Sequence, residues 1–441
     1  MATRWSDPPM LLMLLIPYVV LMIIWIVKCL LALDFLFMFV PTVASYVLWN
    51  YVYHAAEPAD IEKFVVFNDA SLKKVYAGRK MPSCEFYEHF IDGEVSLKEG
   101  LDMWVVLDKH RYEFLNFKTT VRQLRFLIEQ FFPQTSSSFK DKKATKKEIA
   151  DHYDRGNDFF NAFMGPSMVY TSAFFRGLDQ SLETAQENKM SMICDKVHLK
   201  KGETFLDIGC GWGTLARHAA SKYGAKATGV TLSVEGAAWC NENNKKEGLE
   251  KDVEILCMDY RDVPTDKKFD KVSSIEMAEH VGLQNFQLYL NGVKNLMNDD
   301  GLFLMQVAGL RQGSDWEDVA WGLFMSKYIF PGADASTPLN WYIQQAELAG
   351  FEVHSVETIG RHYSHTLHRW YDNWMSNRDT MEPKYSPRLF RLWEIFLAWS
   401  VVAAGQGSAT CYQLCLHKNS NKYPRDRWCN DSPAANMAFG N

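Results

Sequence analysis

The stretch "FLDIGCGWGTLARHAASKYG" (Phe205 to Gly224) runs from an apolar strand-like segment through three glycines at alternate positions into a helix-like one. Gly209, Gly211 and Gly213 let the backbone turn tightly and approach a ligand with no side chain in between. The helix that follows adds free N–H groups at its start. A chain built around such a strand, turn and helix is restricted to α/β architectures whose ligand sits at the carboxyl edge of the strands.

The spacing also says which ligand. The dinucleotide pattern G-x-G-x-x-G is not met, because the third glycine comes two residues after the second. The acid, Asp207, stands before the glycines. An acid ending the first strand and followed by G-x-G-x-G suits S-adenosylmethionine, which carries an ammonium and no phosphate. The next two strand candidates end in "GVTLS" and "MDYRD", where a nucleoside's ribose and adenine would lie. From about Ile149, seven short apolar runs alternate with amphipathic segments: "TFLDIG", "KATGVTL", "DVEILCMD", "FDKVSSIE", "GLFLMQVAG", "FEVHSVETI" and "TCYQLCLHK". That rhythm predicts an α/β fold with a mostly parallel sheet, which together with the S-adenosylmethionine-type loop reads as a Rossmann-like class I methyltransferase. Two helical insertions, "EDVAWGLFMSKYIFP" and "SPRLFRLWEIFLAWSVVAAG", are expected to roof a pocket.

Ahead of this domain, residues 10–27 and 35–53 are uncharged and about long enough to cross a bilayer core. They read as a transmembrane hairpin within residues 1–56 rather than a signal peptide, since a second apolar stretch follows the first at once. Arg4 on one side and Lys63, Lys73, Lys74, Arg79 and Lys80 on the other place both ends on the cytosolic face. Residues 57–132 read as a helical N-terminal region, 133–148 as a polar linker, 149–418 as the methyltransferase domain and 419–441 as a disordered tail. The net charge of −6 gives no reason to expect nucleic acid, and the nine cysteines show no metal-ligand spacing.

With these residues in hand, the chain resembles the cyclopropane-fatty-acid synthase family of methyltransferases. The segments that carry the likeness are "HYDRGNDFFNAFMGPSMVYTSAFF", "LDIGCGWG", "GVTLS", "DYRD", "EHVG", "KYIFPG", "HYSHTL" and "RWYDNW". Within that family it is most similar to the fungal-type sphingolipid C9-methyltransferases, through "MQVAGLR", "WGLFMSKYIFPGADASTPLNW" and "GQGSATCYQ". The resemblance implies methyl transfer from S-adenosylmethionine to C9 of the sphingoid chain of ceramide or glucosylceramide, at its Δ8 double bond, on the cytosolic side of the endoplasmic reticulum membrane. The rival reading is an enzyme acting on phospholipid acyl chains, a cyclopropane synthase or a relative. The resemblance assigns cofactor binding to Tyr170, Thr171, Phe205, Asp207, Gly209, Cys210, Gly211, Trp212, Gly213, Thr231, Leu232, Ser233, Tyr260 and Arg261. The family's ribose-binding Gln is Gly236 here, which leaves Glu235 as the candidate for that contact.

An isolated alkene is a weak nucleophile, and methyl attack at C9 leaves a cation at C8. Aromatic faces can stabilise it, and Tyr170, Phe174, Phe175, Tyr328, Phe330, Trp370 and Tyr371 are available. A base must then take the proton from C9. In cyclopropane synthases the base resembles a bound bicarbonate held by a Glu, a His, a Tyr and a backbone carbonyl beside a Cys. Those positions are Glu279, Gln306, Tyr363 and Ser172 here, so half of the anion cradle is changed. Either bicarbonate still binds, with Gln306 donating in place of the imidazole, or Glu279 takes the proton itself, its pKa raised by burial. Glu276 and His280 of "SSIEMAEHVG" are assigned structural roles.

Overall fold

All seven strand candidates pair into one sheet in the computed structural model, which describes residues 20–31, 39–48, 57–117, 155–313, 315–330 and 337–425. In chain order they are β1 (Thr204–Ile208), β2 (Lys226–Thr231), β3 (Val253–Cys257), β4 (Phe269–Ile275), β5 (Met297–Leu310), β6 (Phe351–Thr358) and β7 (Ala409–Lys418). The sheet order is β6-β7-β5-β4-β1-β2-β3. The five strands from β3 to β5 run parallel, while β7 is antiparallel to β5 and β6 antiparallel to β7. Apolar side chains fill both sides of the sheet. Leu206 and Phe303 face one layer, Phe205 and Leu304 the other. A sheet buried on both faces is what continuous apolar runs demand.

The flanking helices begin and end on local signals. Ser181 and Ser233 cap the helices Leu182–Lys196 and Val234–Glu247 by accepting backbone N–H bonds. Gly224 and Gly248, in left-handed conformation, stop the helices Thr214–Tyr223 and Val234–Glu247.

Residues 57–117 are not purely helical. Between helices Ala70–Tyr76, Ser83–Ile91 and Met103–Phe114 lie two small strand pairs, Val65–Phe67 with Val95–Leu97 and Met81–Pro82 with Leu115–Asn116. Nor do they stand apart. Phe86 and Phe114 share one aromatic core with Phe159, Trp374, Trp393 and Trp399 on the helices Asn157–Met164, Gly360–Ser376 and Pro387–Gly405. Residues 419–425, expected to begin a tail, fold back: the Tyr423 ring sits 3.5 Å from that of His417. The polar linker and residues 426–441 lie outside the described residues.

Among the described residues no helix is long and apolar enough to cross a membrane. Residues 20–31 and 39–48 are helical, and the side chains from Val20 to Val27 are all exposed. The rest of the two apolar stretches lies outside the described residues.

Candidate active site

At the carboxyl edge of β1, β2 and β4 is a cavity of about 250 Å³. Twelve of the fifteen residues assigned to the cofactor line it: Tyr170, Thr171, Asp207, Gly209, Cys210, Gly211, Trp212, Thr231, Leu232, Ser233, Tyr260 and Arg261. The other three do not. Phe205 lies two residues below Asp207 on β1, about 7 Å deeper in the sheet, and packs in the core. Gly213 caps the helix Thr214–Tyr223, where a Cβ would come within 2.6 Å of Cys240 Sγ. Glu235 is exposed on its helix, while its neighbour Gly236 lines the cavity. A Cβ at Gly236 would stand 2.9 Å from the Gly211 carbonyl, so the missing ribose ligand is also a close approach of the helix to the glycine loop.

Asp207 is the buried acid of the site. Register sets it beside Ser273 on β4, whose hydroxyl donates to Asp207 Oδ1 at 2.7 Å. Burial pushes its carboxyl up to about 6, against the Ser273 bond and the Lys189 charge. Lys189, on the helix Leu182–Lys196, is a site residue that sequence reasoning misses. It is buried on the cavity wall, donates to Thr171 Oγ1 at 2.7 Å, and is lowered to about 8 by desolvation. Nothing in its local sequence marks it, because only the packing of that helix against the sheet buries it. Asp259 holds Arg261 in a two-pronged bond, 2.8 Å to Nε and 2.6 Å to a terminal nitrogen, beside the half-buried Tyr260.

The turn after β4 separates the two glutamates. Glu276 has φ 52° and lines the cavity. One short helical turn later, Glu279 faces β5 instead, where its Oε1 accepts the Ala308 N–H, and it is not among the lining residues. Glu279, assigned to the anion cradle or as the base, therefore does not line this cavity, whereas Glu276 does. Ser172, Gln306 and Tyr363 are brought together as expected, but around Glu276. Oε1 of Glu276 accepts the Ser172 N–H at 2.9 Å and Gln306 Nε2 at 2.6 Å, and Oε2 accepts the Tyr363 hydroxyl at 2.9 Å. Ser172 contributes its backbone, since its hydroxyl turns to the Ala173 carbonyl. Cys411 Sγ lies 3.6 Å from Oε1. Of the aromatic candidates only Tyr170 lines the cavity, with Trp370 (5.4 Å between centroids) and Phe330 (6.4 Å) packed against it. Tyr371 instead donates to Asp102, and Phe174 stacks on His362.

Burial, with help from the Glu276 charge, raises Glu279 to about 8. The folded chain then keeps a proton that the unfolded chain releases near 4.5, so stability is full below that pH and falls as pH rises towards 8. Glu279→Gln should flatten this decline. Thermal melting between pH 6 and 9 tests it, and parallel slopes for parent and variant would contradict a protonated Glu279.

The mycolic acid cyclopropane synthetase family pattern matches residues 140–414. The chain belongs to that family of methyltransferases. Among its relatives in the family, sphingolipid C9-methyltransferase 2 of Gibberella zeae is 44% identical over 370 residues, 83% of this chain and 70% of the relative. The sphingolipid C9-methyltransferase of Komagataella phaffii is 45% identical over 377 residues, 83% of this chain and 76% of the relative. In fold the family member resembles the mycolic acid cyclopropane synthase CmaA1 complexed with SAH and CTAB, with a TM-score of 0.59 at 24% identity over 62% of this chain and 98% of that one. The cofactor of this family member is S-adenosylmethionine. The cavity fits it: a buried acid for the ammonium, an open glycine face, and polar ends of β2 and β3 for the nucleoside.

Proposed function

We infer that this enzyme transfers a methyl group from S-adenosylmethionine to C9 of the sphingoid base of ceramide or glucosylceramide, at the Δ8 double bond. The observation that carries the reading is the identity of 44–45% to two sphingolipid C9-methyltransferases over 83% of the chain, which reaches well beyond the 140–414 segment common to the wider family.

S-adenosylmethionine supplies an electrophilic methyl group. The chain's residues do the rest. Asp207 and the first turn of the helix Thr214–Tyr223 hold the amino-acid end, while Thr231, Ser233, Tyr260 and Arg261 hold the nucleoside. Tyr170 presents a ring at the cavity wall, backed by Trp370 and Phe330, where it can stabilise a developing cation by about 1–2 kcal/mol. Orientation of donor and acceptor in the cavity supplies several kcal/mol more.

The uncharged stretches at 10–27 and 35–53 tether the enzyme to the endoplasmic reticulum membrane as a hairpin, with both ends and the catalytic domain cytosolic. A lipid acceptor that never leaves the bilayer supports this placement.

Mass spectrometry of sphingoid bases tests the reading. Cells carrying the gene should contain 9-methyl sphingoid bases, and cells lacking it should not. Unchanged sphingoid bases together with altered phospholipid acyl chains would transfer the activity to the acyl-chain class.

A further inference from the structure

Glu276 follows β4 with φ 52°, a left-handed conformation that costs a residue with a side chain about 1–2 kcal/mol. Such strain persists only where its surroundings enforce it. Here the enforcement is visible. The Glu276 N–H donates to the Gln306 carbonyl at 2.8 Å, and its carboxylate collects the Ser172 N–H, the Gln306 amide, the Tyr363 hydroxyl and the Cys411 thiol. The sheet assembles these donors. Register sets Ile275, at the end of β4, opposite Gln306, and Gln306 opposite Gln413, whose amide donates to Gln306 Oε1 at 2.8 Å. With its oxygen taken, the Gln306 amide turns its NH₂ towards Glu276.

This is a cradle for an anion, and the anion in it belongs to the chain. Three of its members are positions that the family resemblance assigns to a free bicarbonate. The residues do not fit that ion: Gln306 and Tyr363 already donate to Glu276, the Ser172 N–H does too, and a second anion would meet the charge of Glu276 at contact distance. The load on the carboxylate is uneven. Oε1 takes the amide, the peptide N–H and the thiol, whereas Oε2 takes only Tyr363, although a carboxylate oxygen has two acceptor sites.

We propose that Glu276 is the built-in base of the reaction, receiving on Oε2 the proton lost from the methylated carbon and replacing a diffusible anion. This rests on the sphingolipid reading above. In the balanced step, the alkene π pair forms the bond from C9 to the methyl group and the sulfonium sulfur keeps the S–CH₃ pair. The C9–H pair then restores the C8–C9 double bond, and the proton passes to Glu276. Tyr363 holds the acceptor oxygen in place. Its phenol is raised well above its ordinary value by burial and the neighbouring Glu276 charge, so it remains a donor.

The test needs no variant to begin. Turnover of the full-length enzyme on ceramide or glucosylceramide in vesicles should be the same, within about twofold, in carbon-dioxide-free buffer and in buffer with added bicarbonate. Glu276→Gln should keep S-adenosylmethionine affinity within about tenfold and lose about 10² to 10⁴ in kcat. Glu276→Gly relieves the backbone strain and empties the cradle, so bicarbonate or formate should restore part of its activity. A parent enzyme that needs bicarbonate, or a Glu276→Gln enzyme within threefold of the parent, overturns the proposal. Failure of the sphingolipid reading looks different: no parent turnover on either lipid, with product on phospholipid vesicles, where the same bicarbonate and Glu276 comparisons are then read.

Discussion

Gly211→Val should abolish binding of S-adenosylmethionine, weakening it at least about 100-fold, while the protein still folds. Gly211 has φ 54°, and a Cβ built on it meets nothing within 4 Å. The open space is the cavity itself, so a branched side chain would occupy the volume the ligand needs. The left-handed conformation adds about 1–2 kcal/mol of strain, roughly a factor of ten in population of the competent loop. Gly209→Ala makes the contrast. Its Cβ would lie 2.5 Å from Met277 Cγ at φ 79°, a clash inside the protein, so the damage should appear in melting before it appears in binding. Calorimetric titration of Gly211→Val beside a melting curve decides the matter. Cofactor affinity within threefold of the parent would mean that the ligand does not approach the loop from this side.

Arg111→Met should cost about 3–5 kcal/mol of stability, because it leaves a buried charge without its partner. Arg111, on the helix Met103–Phe114, reaches Glu317 Oε1 at 3.0 Å, with side-chain exposures of 9% on both partners. It also donates to the Leu107 and Asp108 carbonyls and to Gln406 Oε1. The pair joins residues 57–117 to the helices at Trp316–Phe324 and Pro387–Gly405, so its loss should loosen that seam. The double variant Arg111→Met with Glu317→Met should be more stable than Arg111→Met alone, because no buried carboxylate is left without its cation, with only Tyr112 and Gln406 donating to it. Urea unfolding midpoints measure both. A single-variant loss under 1 kcal/mol, or a double variant that is worse still, would show that the pair does not hold the seam.

Much of the site is legible in the amino-acid sequence. The glycine loop, the acid ahead of it and the polar ends of β2 and β3 are local signals: each follows from a few consecutive residues meeting a strand-to-helix turn. Twelve of fifteen cofactor assignments line the cavity for that reason. Phe205, Gly213 and Glu235 miss because depth along a strand and the facing of a helix depend on where the element stops, which a motif does not state. The seven strands are also readable, since a sheet buried on both faces imposes continuous apolar runs.

The fold class, the family and the cofactor-binding edge are therefore written in short-range pattern along the chain. Which of two carboxylates lines the cavity came from the tertiary structure. Glu276 and Glu279 lie three residues apart in one turn, and nothing local ranks them. Only the strained φ at Glu276, held by donors from β5, β7 and the distant Ser172 and Tyr363, sends one to the cavity while the other turns to the Ala308 N–H. Those donors are up to 135 residues away along the chain, and only folding brings them to the same carboxylate.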